Sequence, residues 1–330
     1  MIFMESKDNR HHRSLSQIQE FIQRNDDFLI TTHINPDGDC IASVLVFASI
    51  LKHLGKSYYI LIDDSIPKKF NFLSGIEEIL RFDRQSHRLR PMVLVVLDSS
   101  DFERIGNVCE IISSETFIIN IDHHPSNQGF GNINVVDAEE SSAVEIVYAL
   151  FTYCNIPVTP EIATLVYTGI MCDTGRFLFP NTTSRSLRVC SEMVRMGASP
   201  DHIAEKIYYK SSQNTILALS LALSTLEFYF DGSVTCIHLS NGILSSSDDV
   251  DTEGFVDYLL AIEGTEVEFF MLEKKPNCFR VSFRSKRYVD VNKIAQTFGG
   301  GGHTRASGCT IEGSVEEVKK KILDILKVYL

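Results

Sequence analysis

The stretch DFLITTHINPDGDC, residues 27–40, decides how this chain is to be read. It opens as a short apolar run, DFLITT (27–32), and ends in a polar loop that holds His33, Asp37 and Asp39. A helix-like segment follows from Ile41 to Leu54 and is closed by Gly55. Strand, polar loop and helix in this order are the repeating unit of a parallel sheet. Two carboxylates two positions apart repel one another, so positive charge is expected between them.

The same alternation continues outward. Strands are expected at SYYILI (57–62), MVLVVL (92–97) and TFIINI (116–121), the second apolar throughout, as a strand covered on both faces should be. Helical patterns run over residues 141–154, 160–171 and 184–196. The alternation predicts an α/β fold with a parallel sheet and helices on both sides. Residues 1–13 read as a loose tail and 200–226 as a helical connection without evident chemistry. Beyond it a smaller α/β unit is expected: a strand at 233–239, a helix at 253–262, paired strands at 266–273 and 278–285, and helices at 291–298 and 314–329. The expected domains are therefore 14–199 and 227–330, with a cleft between them.

Composition narrows the class. The 330 residues are 44% hydrophobic and 22% charged, ordinary globular values. No apolar stretch approaches the roughly 20 residues that span a bilayer, so no membrane role is expected. The opening MIFMESKDNRHHR lacks the apolar core of a signal peptide. Eight cysteines without a CxxC spacing suggest neither a zinc knuckle nor a disulfide framework, which fits a reducing cytoplasm. A net charge of −12 argues against binding long nucleic acid. Residues 273–305 carry eight Lys/Arg against two acids, a local +6, which leaves −18 on the remainder.

Polar clusters close the apolar elements. His33, Asp37 and Asp39 follow the first strand, Asp98 follows MVLVVL, Asp122-His123-His124 follow TFIINI, and Asp173 follows the helical YTGIM. Taken singly, each has a bland reading as a loop cap, a buried imidazole or a helix end. Taken together, three clusters lie at the carboxyl ends of three strands, where open α/β sheets place their ligands. Four carboxylates and two histidines converging there would raise one another's pKa values unless cations intervene. Mixed carboxylate and imidazole ligation suits Mn²⁺, Mg²⁺, Fe²⁺ or Co²⁺. The number of ligands fits two ions sharing one bridging carboxylate and a bridging hydroxide nucleophile, an arrangement used for attack on phosphorus. In the second unit FGGGGHTRASG (298–308) joins a glycine run to His303 and Arg305, with Arg284, Lys286 and Arg287 upstream. Backbone N–H groups and guanidinium forks of this kind can hold a phosphate.

HINPDGD, LDSSD, IDHHPSN and MCDTGRF, in this order, resemble the DHH phosphoesterase superfamily, and SFRSKRYVDVNKIAQTFGGGGHTRASG resembles its DHH-associated C-terminal domain. The length is most similar to the nanoRNase/pAp phosphatase branch, which degrades very short RNA and dephosphorylates 3′-phosphoadenosine 5′-phosphate. The resemblance implies that His33 and Asp37 hold one ion, that Asp39, His123 and Asp173 hold the other, and that Asp98 bridges them. It implies Mn²⁺ foremost, with Mg²⁺ or Co²⁺ as substitutes. It makes His124 the contact to the scissile phosphate and the general acid, with Asp122 orienting the histidines. Asn35 would hydrogen-bond phosphate. Arg284, Ser285, Gly300, Gly301, Gly302 and His303 would hold the terminal phosphate or base, with Arg305 either adding to that grip or facing solvent. The implied substrates are short RNA and mono- or dinucleotides such as pApA. A cyclic-dinucleotide phosphodiesterase, a pyrophosphatase and a single-strand exonuclease of the same superfamily are the alternatives. A non-catalytic nucleotide sensor is disfavoured because every expected ligand is present. A homodimer is left open, since no residue pattern speaks to oligomeric state.

Overall fold

The structure, a computed structural model, describes residues 12–240, 250–252 and 254–330. The chain divides between Lys210 and Ser211 into two compact units. Residues 1–11 of the expected tail lie outside the described residues, and His12 and Arg13 already belong to a helix, α1 (His12–Arg24).

The first unit is built on a six-stranded parallel sheet. Its strands are β1 (Phe28–Thr32), β2 (Tyr58–Ile62), β3 (Ile79–Arg81), β4 (Val93–Leu97), β5 (Phe117–Asp122) and β6 (Ile133–Val136), in the order β3-β2-β1-β4-β5-β6. β1 and β4 lie side by side at the centre and are buried along their whole length, which is why their sequences do not alternate. Ile30, Val95 and Ile119 pack on one face against α1, α2 (Gly38–His53), α3 (Ala143–Tyr153) and α4 (Pro160–Asp173). Leu29, Leu94 and Val96 pack on the other. There the expected covering helix is a 3₁₀ segment, Glu103–Ile111, which buries Ile105, Val108 and Ile111. Gly106, at φ 64°, interrupts it and prevents a continuous helix. Strand order runs outward from β1 in one direction and from β4 in the other, so the β1/β4 boundary is the switch point where such sheets open a crevice.

The connection expected at 200–226 is two packed helices. After α5 (Ser184–Arg195), α6 (Pro200–Tyr208) buries Ile203 and Ile207 in the first core. The next helix, α7 (Gln213–Leu223), buries Ala218, Leu219 and Ala222 in the second unit. That unit has a mixed sheet of β7 (Glu227–Tyr229), β8 (Val234–Leu239), β9 (Val267–Lys275), β10 (Cys278–Ser285), β11 (Gly301–His303) and β12 (Ala306–Glu312), in the order β11-β12-β10-β9-β8-β7. β9 and β10 pair antiparallel as expected. One sheet face carries α8 (Val291–Gln296) and α9 (Val315–Leu326). The other carries α7 and a 3₁₀ segment, Phe255–Ala261, where a helix from 253 was expected; residue 253 lies outside the described residues. No helix among the described residues is long and apolar enough to cross a membrane.

Candidate metal centre

The loop after β1 is held from both sides. The Ile34 N–H donates to the Arg104 carbonyl at 2.7 Å, and the Asn35 N–H donates to Asp64 at 2.7 Å. Asn35 itself takes φ 56° and leaves its side chain exposed. His33 donates its Nδ1–H to the Ile34 carbonyl at 2.8 Å, which leaves Nε2 as the basic nitrogen. Asp37 caps α2: its Oδ1 accepts the N–H groups of Asp39 and Cys40 at 3.0 and 3.1 Å. Its other oxygen, Oδ2, is left facing His33 Nε2 at 3.9 Å. Gly38 is required by close packing: a Cβ there would fall 2.3 Å from Cys172 Sγ on α4. Asp39 is fully buried and accepts the first N–H groups of α3, Ala143 at 2.6 Å and Val144 at 3.0 Å. A helix N-terminus is a favourable place for that charge.

Asp98 stands at the switch point. It takes φ 54°, a left-handed conformation that Asp tolerates better than most side chains, and its N–H donates to Ile121 at the end of β5. The carboxylate is turned so that Oδ2 lies 3.5 Å from His33 Nε2, while Oδ1 lies 3.5 Å from His123 Nε2 and 3.7 Å from His124 Nδ1. On the far side, His123 Nε2 lies 3.9 Å from Asp39 and 3.6 Å from Asp173. Two donor groups result, His33–Asp37–Cys40–Asp98 and Asp39–His123–Asp173, each with ligand atoms within 4.8 Å of one another. Asp98 faces both.

These separations of 3.5–3.9 Å are too long for hydrogen bonds, and Asp98 Oδ1 is buried with no hydrogen-bond partner among the described residues. The donor set, oxygens and imidazole nitrogens, is the chemistry that divalent cations take. The residues present therefore fit a pair of ions.

Charge without such ions is unevenly carried. Burial, with Asp98 and Asp173 adding to it, pushes the Asp39 carboxyl well above its usual range. Burial pushes Asp173 up to about 7, the pull of His123 being partly offset by Asp98 and Asp37. Asp98 goes the other way: burial opposes its charge, but His123 and His33 outweigh it and hold it well below the usual range.

A second layer of hydrogen bonds fixes the candidate ligands. Asp122 Oδ1 accepts the His124 Nδ1–H at 2.7 Å, and its Oδ2 accepts from Asn127 Nδ2 at 2.7 Å. Asn181 Nδ2 reaches Asp173 Oδ2 at 3.2 Å and the Ser141 carbonyl at 3.0 Å. Asn127, Asn181 and Cys40 were not singled out from the sequence. Asn127 closes the IDHHPSN motif, which is the one available signal; an amide like Asn181, eight residues from its partner, carries none.

Apart from Asn35, the residues expected to grip substrate belong to the second unit. Arg284 Nε pairs with Asp257 at 2.7 Å. Ser285 Oγ donates to Val289 O at 2.7 Å. Arg305, half-buried, donates to Val289 O at 2.8 Å and also to the Arg287 carbonyl, bracing the 285–289 turn. The glycine run is partly strand: Gly301–His303 pairs with Ala306–Gly308 across a two-residue turn. Gly299 and Gly300 donate their N–H groups to the last carbonyls of α8. A Cβ on Gly300 would fall 2.1 Å from the Gly308 carbonyl, so strand packing alone demands glycine there. Phe177 packs edge-on against Tyr167, while Tyr258 is 57% exposed.

Residues 27–170 match the DHH family, N-terminal domain, and residues 243–330 match the DHHA1 domain. A bifunctional oligoribonuclease and PAP phosphatase NrnA of Thermus thermophilus is 35% identical over 300 residues, covering 90% of this chain and 88% of the relative. The Bacillus subtilis protein of the same name is 27% identical over 305 residues, covering 91% and 94%. The crystal structure of an exopolyphosphatase-related protein from Bacteroides fragilis superposes with a TM-score of 0.88 at 28% identity, covering 96% of each chain. The chain thus belongs to the DHH family, with a DHHA1 domain, alongside the bifunctional oligoribonucleases and PAP phosphatases.

Proposed function

We propose that this protein is a metal-dependent phosphoesterase acting on very short oligoribonucleotides and on 3′-phosphoadenosine 5′-phosphate. The observation that carries the reading is Asp98, whose two oxygens face two separate His/Asp groups. His33, Asp37 and Asp98 would hold one divalent cation, and Asp39, His123, Asp173 and Asp98 the other. Bound there, two such ions neutralise phosphoryl oxygens and lower the pKa of water. Mn²⁺ is the preferred ion on ligand type.

The chain's own groups supply the rest. Asp122 fixes His124 with Nδ1 protonated, so Nε2 is the atom that passes a proton to the departing oxygen. The Asp122 carboxylate, itself held by Asn127, fixes the orientation of the His124 ring. Asn35, exposed in the loop after β1, donates to a phosphate oxygen. In the second unit Arg284 and His303 recognise the substrate's terminal phosphate, while Ser285, Arg305 and the run Gly300–Gly302 shape the turn and hairpin that carry them. The substrate is short because a chain of net charge −12 offers no extended basic track. Eight unbridged cysteines support a reducing compartment.

A substrate panel with Mn²⁺ and Mg²⁺ tests the reading: 3′-phosphoadenosine 5′-phosphate, pApA, a two-to-five-nucleotide RNA, a long RNA, cyclic di-AMP and pyrophosphate. The first three are expected to be turned over fastest. Preference for the long RNA or for pyrophosphate would reject the assignment.

A further inference from the structure

The first donor group contains a residue that hard-metal phosphoesterase chemistry does not call for. Cys40 is fully buried on the first turn of α2, in the same core cluster as Ile41 and Val44. It turns back toward the helix start, where Sγ accepts the Asp37 N–H at 3.2 Å and the thiol donates to the Asp37 carbonyl at 3.5 Å. This places Sγ within 4.8 Å of ligand atoms of His33, Asp37 and Asp98. A lone thiol at a helix start would mean little. Here the buried His33 Nε2 lies 3.5 Å from Asp98 Oδ2 and 3.9 Å from Asp37 Oδ2, donors spaced for a shared cation and not for hydrogen bonds to one another.

We propose that Cys40 is a metal-discriminating ligand of the first group. The inference rests on the metal-centre reading above and goes beyond it. Hard Mn²⁺ and Mg²⁺ take the oxygens and the imidazole and leave the thiol protonated in its cap. Thiophilic Zn²⁺, Co²⁺ or Cd²⁺ take the sulfur as well: a metal–sulfur bond forms, the S–H bond breaks, the proton leaves to solvent, and nothing is oxidised or reduced. One nitrogen, two oxygens and one sulfur then make a closed four-donor set of the type that holds Zn²⁺ structurally. A catalytic ion needs an open position, so zinc held by Cys40 is tight and inhibitory. Cys40 thus sets which metals this chain works with and which ones block it.

The test loads the full chain with Co²⁺, as wild type, Cys40→Ser and Cys172→Ser, and records the near-ultraviolet spectrum. The wild type and Cys172→Ser are expected to show a thiolate-to-cobalt charge-transfer band, and Cys40→Ser to lack it. By calorimetry Cys40→Ser should bind Zn²⁺ at least about tenfold more weakly, while Mn²⁺ affinity stays within about threefold. A wild-type protein that binds Co²⁺ without the band, or a band that survives Cys40→Ser, overturns the inference. The wild-type spectrum decides even if Cys40→Ser folds poorly. A wild type that binds neither Mn²⁺ nor Co²⁺ fails differently, because it removes the metal centre together with its cysteine.

Discussion

In the second unit buried charge meets its opposite inside the chain. Arg284 pairs with Asp257 at 2.7 Å, and Lys319, only 4% exposed, pairs with Glu227 at 2.9 Å and Glu316 at 2.7 Å. Lys286 lies 3.6 Å from the buried Glu268, and Arg305 is spent on carbonyls. In the first unit Asp37, Asp39, Asp98, Asp122 and Asp173 gather around the β1/β4 boundary, and among the described residues their ion pairs are with histidines, not with lysine or arginine. Histidine can release its proton and become a ligand; lysine and arginine in their charged forms cannot. The second unit has supplied its own cations. The first has kept its place open for cations from outside.

The strongest way to break this contrast is Asp98→Ala. Loss of the carboxylate that faces both groups should reduce turnover by about a thousandfold or more while the circular-dichroism spectrum stays native, since the residue stands beyond the carboxyl end of β4 and not in the apolar core. Retained turnover would show that the two groups work without it. Asn181→Ala should lower metal affinity by about 10–100-fold, because Asp173 loses the amide that aims it. His303→Ala, in the second unit, should raise KM by about tenfold with kcat little changed, the mark of uniform substrate binding. Arg305→Ala should act on stability instead, costing about 1–3 kcal/mol through the unpaired carbonyls of the 285–289 turn, read from a denaturation midpoint. A pure KM effect there would return Arg305 to the substrate site.

The contrast is sharpened by pH. Asp173 has its folded-state pKa raised to about 7 against an ordinary 3.8, so between these values the folded metal-free chain holds more protons than the unfolded one. The stability it contributes is present below about pH 4 and is lost as pH rises through about 7. Metal-free protein should therefore lose thermal stability between about pH 4 and 7, and divalent metal should restore it most at the alkaline end of that range. Metal affinity has the opposite sign: it should fall as pH drops below about 7, because the proton competes for Asp173.

Much of the first unit was legible from residues 27–40 outward. β1, β4 and β5 are apolar because both sheet faces are covered, and their carboxyl ends carry the His and Asp that meet in the centre. β3 and β6 were not expected: the first has three residues, largely exposed, and the second has four that are half-buried at the sheet edge, too short for a periodicity. β11 was hidden because glycine is depleted in strands, so the run 299–302 reads as a loop or nest; only the close approach of Gly308 explains it. The candidate ligands were readable because charge clusters stand out against apolar runs. Asn127 and Asn181 were not, since an amide that aims a carboxylate looks like any loop amide until the chain is folded.

The most direct test of the central claim is calorimetric titration of the metal-free full chain with Mn²⁺, with elemental analysis of the dialysed product. Two ions per chain, bound with proton release and followed by a rise in melting temperature, are predicted. A chain that takes up no divalent cation, and whose carboxylates at the β1/β4 boundary titrate unchanged by Mn²⁺, would contradict it.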